Sequence, residues 1–123
     1  MIYNKNIKKI LTSLLAYKPE KVILFGSAAW GKWKPGSDLD FFIIKRTNKP
    51  HTARVWEVEE ILFDKMDVPV DVVIYTPEEV KYAQRIRSMF IEEILKKGKV
   101  LYFEPPKGGE KQGSPTKVGG SYG

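Results

Sequence analysis

Phe25-Gly-Ser-Ala-Ala-Trp-Gly-Lys-Trp-Lys-Pro-Gly-Ser-Asp-Leu-Asp40 decides how this chain is read. It follows Val22-Ile-Leu-Phe25, a short, wholly apolar run rich in strand-favouring residues, which predicts a central strand. Gly26-Ser27 then reads as a turn, with Ser27 at an N-cap position and Ala28, Ala29 and Trp30 in a short helix. Such a turn feeding a helix N-terminus is a natural phosphate cradle. Lys34-Pro-Gly36 is a second turn, and Leu39 to Lys45 a second strand. Alternate residues of a strand share a face, so Asp38 and Asp40 are expected to project together while Leu39 faces away. Two carboxylates so placed repel unless a cation lies between them. Mg²⁺ takes oxygen ligands of this kind and adds phosphate oxygens from a substrate. Cradle and carboxylates together predict metal-assisted chemistry on a nucleoside triphosphate.

Nucleotidyl transfer needs charge neutralised on both the attacking and the leaving oxygen, which two divalent ions about 3.5–4 Å apart accomplish. Holding two ions takes more than two carboxylates. Asp71 is the candidate third, because an acid within Val70-Asp-Val-Val-Ile-Tyr75 is out of place unless it is at an edge, paired or coordinating. A solvated position on an exposed face is the alternative. Asp64 and Asp67 compete, although Asp is common at helix ends and in turns for local reasons.

Gly26-Ser27, then ten residues, then Asp38-Leu39-Asp40, with Gly31 and Ser37 between, resembles the pattern of the DNA polymerase beta-like nucleotidyltransferase superfamily. The branch it looks most like is that of the minimal nucleotidyltransferases, short domains often encoded beside a HEPN-domain protein. The resemblance covers about residues 5 to 103. It implies an α/β fold with a small mixed sheet of three or four strands covered by helices. It implies a Mg²⁺-dependent transfer (Mn²⁺ being the substitute) of a nucleoside monophosphate, AMP from ATP, to a hydroxyl acceptor. The acceptor would lie on a HEPN-type partner or a second copy. The alternative class is a catalytically weak, antitoxin-type subunit that binds such a partner.

By the same resemblance Asp38 and Asp40 bridge two metals, and Asp71 binds the catalytic one and accepts the proton of the attacking hydroxyl. The third carboxylate belongs on the strand after the intervening helix, which favours Asp71. Gly26 lets the backbone approach the triphosphate and Ser27 donates to its β- or γ-phosphate. Ser37, in the same nucleotide site, orients Asp38 or caps the turn. Relatives often carry arginine where this chain has Trp30; Lys32 or Lys34 then supplies positive charge, or simply lies on a solvated face. Trp33, in the link between cradle and carboxylates, is expected to border the acceptor or partner surface.

The composition sets the outer limits. A chain of 123 residues is one domain with a modest core. The absence of cysteine excludes a disulfide scaffold and thiolate metal sites, and a single histidine excludes a His-rich zinc site. No signal peptide and no apolar run of roughly 18 residues is present, so a cytoplasmic location and no membrane partner are expected. A net charge of +6 favours anionic partners, with nucleic acid left open. Helical periodicity predicts an N-terminal helix with Ile7, Ile10, Leu11, Leu14 and Leu15 inward, ended by Lys18-Pro19. A second helix is predicted over 52–65, a third strand over Val68–Tyr75, and a helix starting at Thr76-Pro-Glu-Glu79. A further helix runs to Lys97 with Phe90, Ile91, Ile94 and Leu95 inward and is stopped by Gly98; Lys99–Phe103 forms a last strand. Residues 1–103 form the domain, and 104–123 read as a flexible Gly/Pro/Lys-rich tail.

Overall fold

The structure is a computed structural model that describes residues 2–31, 34 and 36–104. Lys32, Trp33 and the tail from residue 105 lie outside the described residues, so the expectations placed on them are not addressed by it.

Among the described residues, four strands and four α-helices follow one another in the order α1 (Ile2–Leu14), β1 (Lys21–Phe25), β2 (Leu39–Ile44), α2 (His51–Leu62), β3 (Val70–Tyr75), α3 (Pro77–Arg85), α4 (Met89–Lys97) and β4 (Lys99–Phe103). They build one mixed sheet in the order β3-β2-β1-β4. β1 pairs antiparallel with β2 and β4, whereas β2 and β3 are parallel. A parallel pair needs a crossover, and α2 provides it. The small mixed sheet clad by helices is the expected architecture.

Strand alternation divides the core in two. Val22, Leu24, Leu39, Phe41, Ile43 and Ile74 pack with Ile10 and Leu14 of α1 and Val58 and Leu62 of α2. Ile23, Phe42 and Ile44 pack on the other face, with Val80 and Ala83 of α3 and Ile91 and Ile94 of α4. Asp40 lies between Leu39 and Phe41, and Asp71 between Val70 and Val72, so both carboxylates belong to the α3/α4 face. They stand at the end of it that those two helices leave open: Asp71 is exposed and Asp40 only half-buried.

Several local expectations change. Ser27 is not an N-cap: it lies inside a single 3-10 turn, Gly26–Ala28, whose preceding residue, Phe25, makes no side-chain cap. One turn carries little dipole, so any phosphate cradle here depends on local backbone geometry. Leu15 is exposed because the helix tightens into a 3-10 turn at Leu15–Tyr17, rotating it off the apolar stripe and bringing Tyr17 inward. Phe90 is also exposed, yet its ring meets that of Phe25 edge-on at 5.8 Å. Gly98 stops α4 with a φ of −71°, not in the left-handed region. Its requirement is space, since a Cβ there would sit 2.5 Å from Ile23 Cγ2 and 3.1 Å from the Leu24 carbonyl oxygen. Thr76 and Glu79 do form the expected helix start, as a reciprocal capping box with proline at the first helical position. Among the described residues no helix is long and apolar enough to cross a membrane.

Candidate active site

The parallel β2–β3 register sets Asp40 directly beside Asp71. The antiparallel β1–β2 register sets Asp40 opposite Phe25, the residue before the Gly26 turn. Three chain segments thus meet at one end of the sheet: the exit of β1, the entry of β2 and the entry of β3. Asp38 precedes β2 by one residue, in irregular and exposed backbone. Its approach to the other two is therefore set by the link before β2 and not by strand alternation.

Gly26 is fitted to Asp40. Its φ is +78°, and a Cβ built on it would lie 2.2 Å from Asp40 Oδ2 and 3.1 Å from the carboxylate carbon. No side chain fits there while Asp40 holds its position. Within the turn the Gly26 carbonyl accepts from the N–H of Ala29 at 3.0 Å and of Trp30 at 3.1 Å, so Trp30 is fixed to the cradle. Ser27 is half-buried at the turn. Ser37 closes the second turn twice over: its N–H donates to the Lys34 carbonyl at 2.9 Å, and its hydroxyl accepts from the Lys34 N–H at 3.4 Å. Lys34 itself is exposed.

The Asp40 carboxyl is pushed up to about 6, first by its burial, then by the charges of Asp71 and Asp38. Asp71 and Asp38 are thus its electrostatic neighbours. The competitors are elsewhere. Asp67 pairs with Lys9 at 3.6 Å, and Asp64 occupies the turn after α2 with a φ of +57°. Among the described residues no three His, Cys, Asp or Glu side chains are gathered tightly enough to form a finished metal cage. The donor set nonetheless fits a hard divalent cation: three carboxylates, one of them, Asp40, holding its proton more tightly because it is partly buried beside two other acids. Asp38 and Asp71 are exposed and have room to turn toward such an ion.

Sequence reasoning missed Arg54. This buried arginine forks onto Glu79 at 2.8 and 3.1 Å and donates to the carbonyls of Lys49 and Ile74. It pins α2 to the exit of β3, the strand that carries Asp71. The only hint in the sequence is the Thr76-Pro-Glu-Glu79 box, whose Glu79 carboxylate has acceptor capacity left over.

Comparison with known proteins bears on the fold and the family. No curated protein matches the chain significantly in sequence. Among solved structures, one of a mutant of the toxin–antitoxin pair MntA–HpeT is 24% identical, with a TM-score of 0.56 over 86% of this chain and 77% of that one. Another, of a toxin–antitoxin with AMP-PNP, is 24% identical, with a TM-score of 0.60 over 86% of this chain and 78% of the other. A third, from Sulfolobus solfataricus, is 18% identical, with a TM-score of 0.56 over 80% and 78% of the two chains. These likenesses concern the fold. Residues 5–101 match the profile of the nucleotidyltransferase domain, and that span includes the Gly26 turn and all three carboxylates. The chain therefore belongs to the nucleotidyltransferase domain family.

Proposed function

We propose that this nucleotidyltransferase moves a nucleoside monophosphate, AMP from ATP, onto a hydroxyl of a protein acceptor, using divalent metal held by Asp38, Asp40 and Asp71. The observation that carries this reading is the contact of Asp40 with the Gly26 turn while Asp71 stands beside it in register. Triphosphate cradle and metal ligands are then one unit. Bound Mg²⁺ or Mn²⁺ would neutralise charge on the attacking and leaving oxygens. Gly26 admits the triphosphate to the backbone, and the Ser27 hydroxyl donates to a β- or γ-phosphate oxygen. The acceptor oxygen bonds the α-phosphorus as the bond to the bridging oxygen breaks; pyrophosphate leaves, and the acceptor proton passes to Asp71.

The related structures include toxin–antitoxin complexes, which supports a protein partner over a free small-molecule acceptor; that this partner is of HEPN type rests on the sequence resemblance alone. The surface supports the same view. Ile86, just after α3, and Met89, the first residue of α4, are exposed where these two helices of the carboxylate face meet, Met89 by 82%. A second reading, a partner-binding subunit with little turnover, draws on Trp30 in place of arginine and on carboxylates that are not pre-gathered.

Incubation with α-labelled ATP, with and without Mg²⁺, separates these readings. Metal-dependent label on the co-expressed partner, absent from Asp38→Asn/Asp40→Asn, is expected. Label that is indifferent to chelator removes the metal site, and firm partner binding without any label favours the silent subunit. Gly26→Ala should act through Asp40. The new methyl displaces the carboxylate, an easy rotation for the fold but a misplacement of the order of 1 Å at the chemistry. Transfer is expected to fall about 100-fold. Stability should fall by only about 1 kcal/mol, from the positive φ. Unchanged transfer in this variant would show that the contact has no functional meaning.

A further inference from the structure

Resting on the reading of the site as a triphosphate cradle, we propose that Lys97 is a triphosphate-binding residue and that Trp30 positions it. The triphosphate is strongly anionic, and three protein side chains beside the turn, Asp38, Asp40 and Asp71, are acids. Divalent metal held by those acids would offset part of this charge, and a side-chain cation on the flank of the turn would offset more of it.

The fold brings Lys97 there by a chain of fixed contacts. Gly98 packs on Ile23 and the Leu24 carbonyl, and β4 begins at Lys99 in register with Leu24. The last turn of α4 is thereby held level with the end of β1, one residue before Phe25 and two before Gly26. The start of α4 is tied to the same strand end by the ring contact of Phe90 with Phe25. Trp30 is held in turn by its N–H bond to the Gly26 carbonyl. The Lys97 ammonium lies 5.8 Å from the centre of the Trp30 ring. A cation over an indole face is attracted to it but keeps its donors free for an anion. Its other contact, Glu93 at 3.6 Å one helical turn back, is between exposed groups. Such a pair is worth less than about 1 kcal/mol and yields readily to a polyphosphate.

Calorimetric titration of the full chain with ATP and with AMP, both with Mg²⁺, tests this. Lys97→Ala is expected to weaken ATP binding about tenfold or more, the loss of a charge-assisted contact. AMP, which lacks the β- and γ-phosphates, should bind within about twofold of wild type. Lys97→Arg should restore ATP binding. Trp30→Ala should show a smaller loss in the same direction, and Trp30→Phe less again, because the phenyl ring keeps a face for the cation. Melting temperatures measured alongside separate these effects from unfolding. ATP binding unchanged in Lys97→Ala overturns the inference alone, and so does an equal loss for ATP and AMP. A wild type that binds no ATP overturns both the inference and the function on which it rests.

Discussion

Asp40→Asn is expected to abolish nucleotidyl transfer and, at neutral pH, to make the free protein more stable. Both effects follow from one side chain. Asp40 is packed on Gly26, flanked by Asp71 in register and affected by Asp38, so its charge opposes the fold, as the proposed metal-binding role requires. Replacing the carboxylate by an amide keeps the shape, removes the charge and leaves a poor ligand for a hard cation. A loss of transfer of at least about 1,000-fold is expected, on the scale of removing a principal electrostatic stabiliser.

The stability effect has a definite sign. The Asp40 carboxyl titrates near 6 in the folded protein against an ordinary 3.8. Between those values the folded state holds a proton that the unfolded state has lost, so stability falls as pH rises through this window. By pH 7 the penalty is fully present. The rise from 3.8 to about 6 corresponds to at most about 3 kcal/mol. Asp40 is partly open to solvent, and screening reduces this to about 1–2 kcal/mol. Asp40→Asn escapes the penalty, which corresponds to a rise of roughly 5–10 °C in melting temperature for a domain of this size. Mg²⁺ should raise the melting temperature of the wild type and not of the variant. A variant that is less stable than wild type at pH 7, or that still transfers, sinks this assignment.

The candidate site could be read from the sequence because most of it is local. Gly26-Ser27 and Ser37-Asp-Leu-Asp40 lie within one strand–turn–strand unit, and such short-range spacing survives without knowledge of the rest of the fold. Asp71 was legible as a polar residue in an apolar strand, a mismatch that local physics cannot explain. What the sequence did not show is how these parts touch. That Gly26 makes room for Asp40 depends on the β1–β2 register, and the Asp40–Asp71 pairing depends on β2 and β3 being parallel. Nothing in a one-dimensional pattern fixes either. Leu15 and Phe90 misled for a related reason. A period of 3.6 predicts an inward face only while the helix continues, and α1 tightens at Leu15. Phe90 lies in the first turn of α4, where it reaches Phe25 at the candidate site's edge and stays partly in solvent.

Arg54→Ala is expected to cost the most stability of any single change considered, about 2–4 kcal/mol, because it breaks a junction of three elements. The Arg54 side chain is 8% exposed. Its guanidinium donates to the Lys49 carbonyl at 2.7 Å, the Ile74 carbonyl at 3.2 Å and both oxygens of Glu79. One of those oxygens also accepts from the Thr76 N–H at 2.9 Å, so the α3 capping box and the arginine fork share an anchor. Truncation leaves the Glu79 charge and two carbonyls without their donor. The full cost of breaking a buried pair is about 3–5 kcal/mol. Glu79 is partly exposed and can recover some hydration, which lowers the figure. Arg54→Lys keeps the charge but not the fork and should fall between. The pH dependence runs opposite to that of Asp40. The hydrogen bond from Arg54 holds the Glu79 carboxyl below its ordinary range. Its contribution is therefore present above about pH 4.5 and lost as pH falls through the folded value. The difference between wild type and Arg54→Ala should shrink accordingly in acid. Urea unfolding at pH 7 and pH 3 reads both quantities. The junction lies at the exit of β3 and Asp71 at its entry, so Arg54→Lys should keep most transfer at temperatures where it remains folded. Arg54→Ala within about 1 kcal/mol of wild type at pH 7, or a gap that does not shrink in acid, would show that the fork is not what joins α2, β3 and α3.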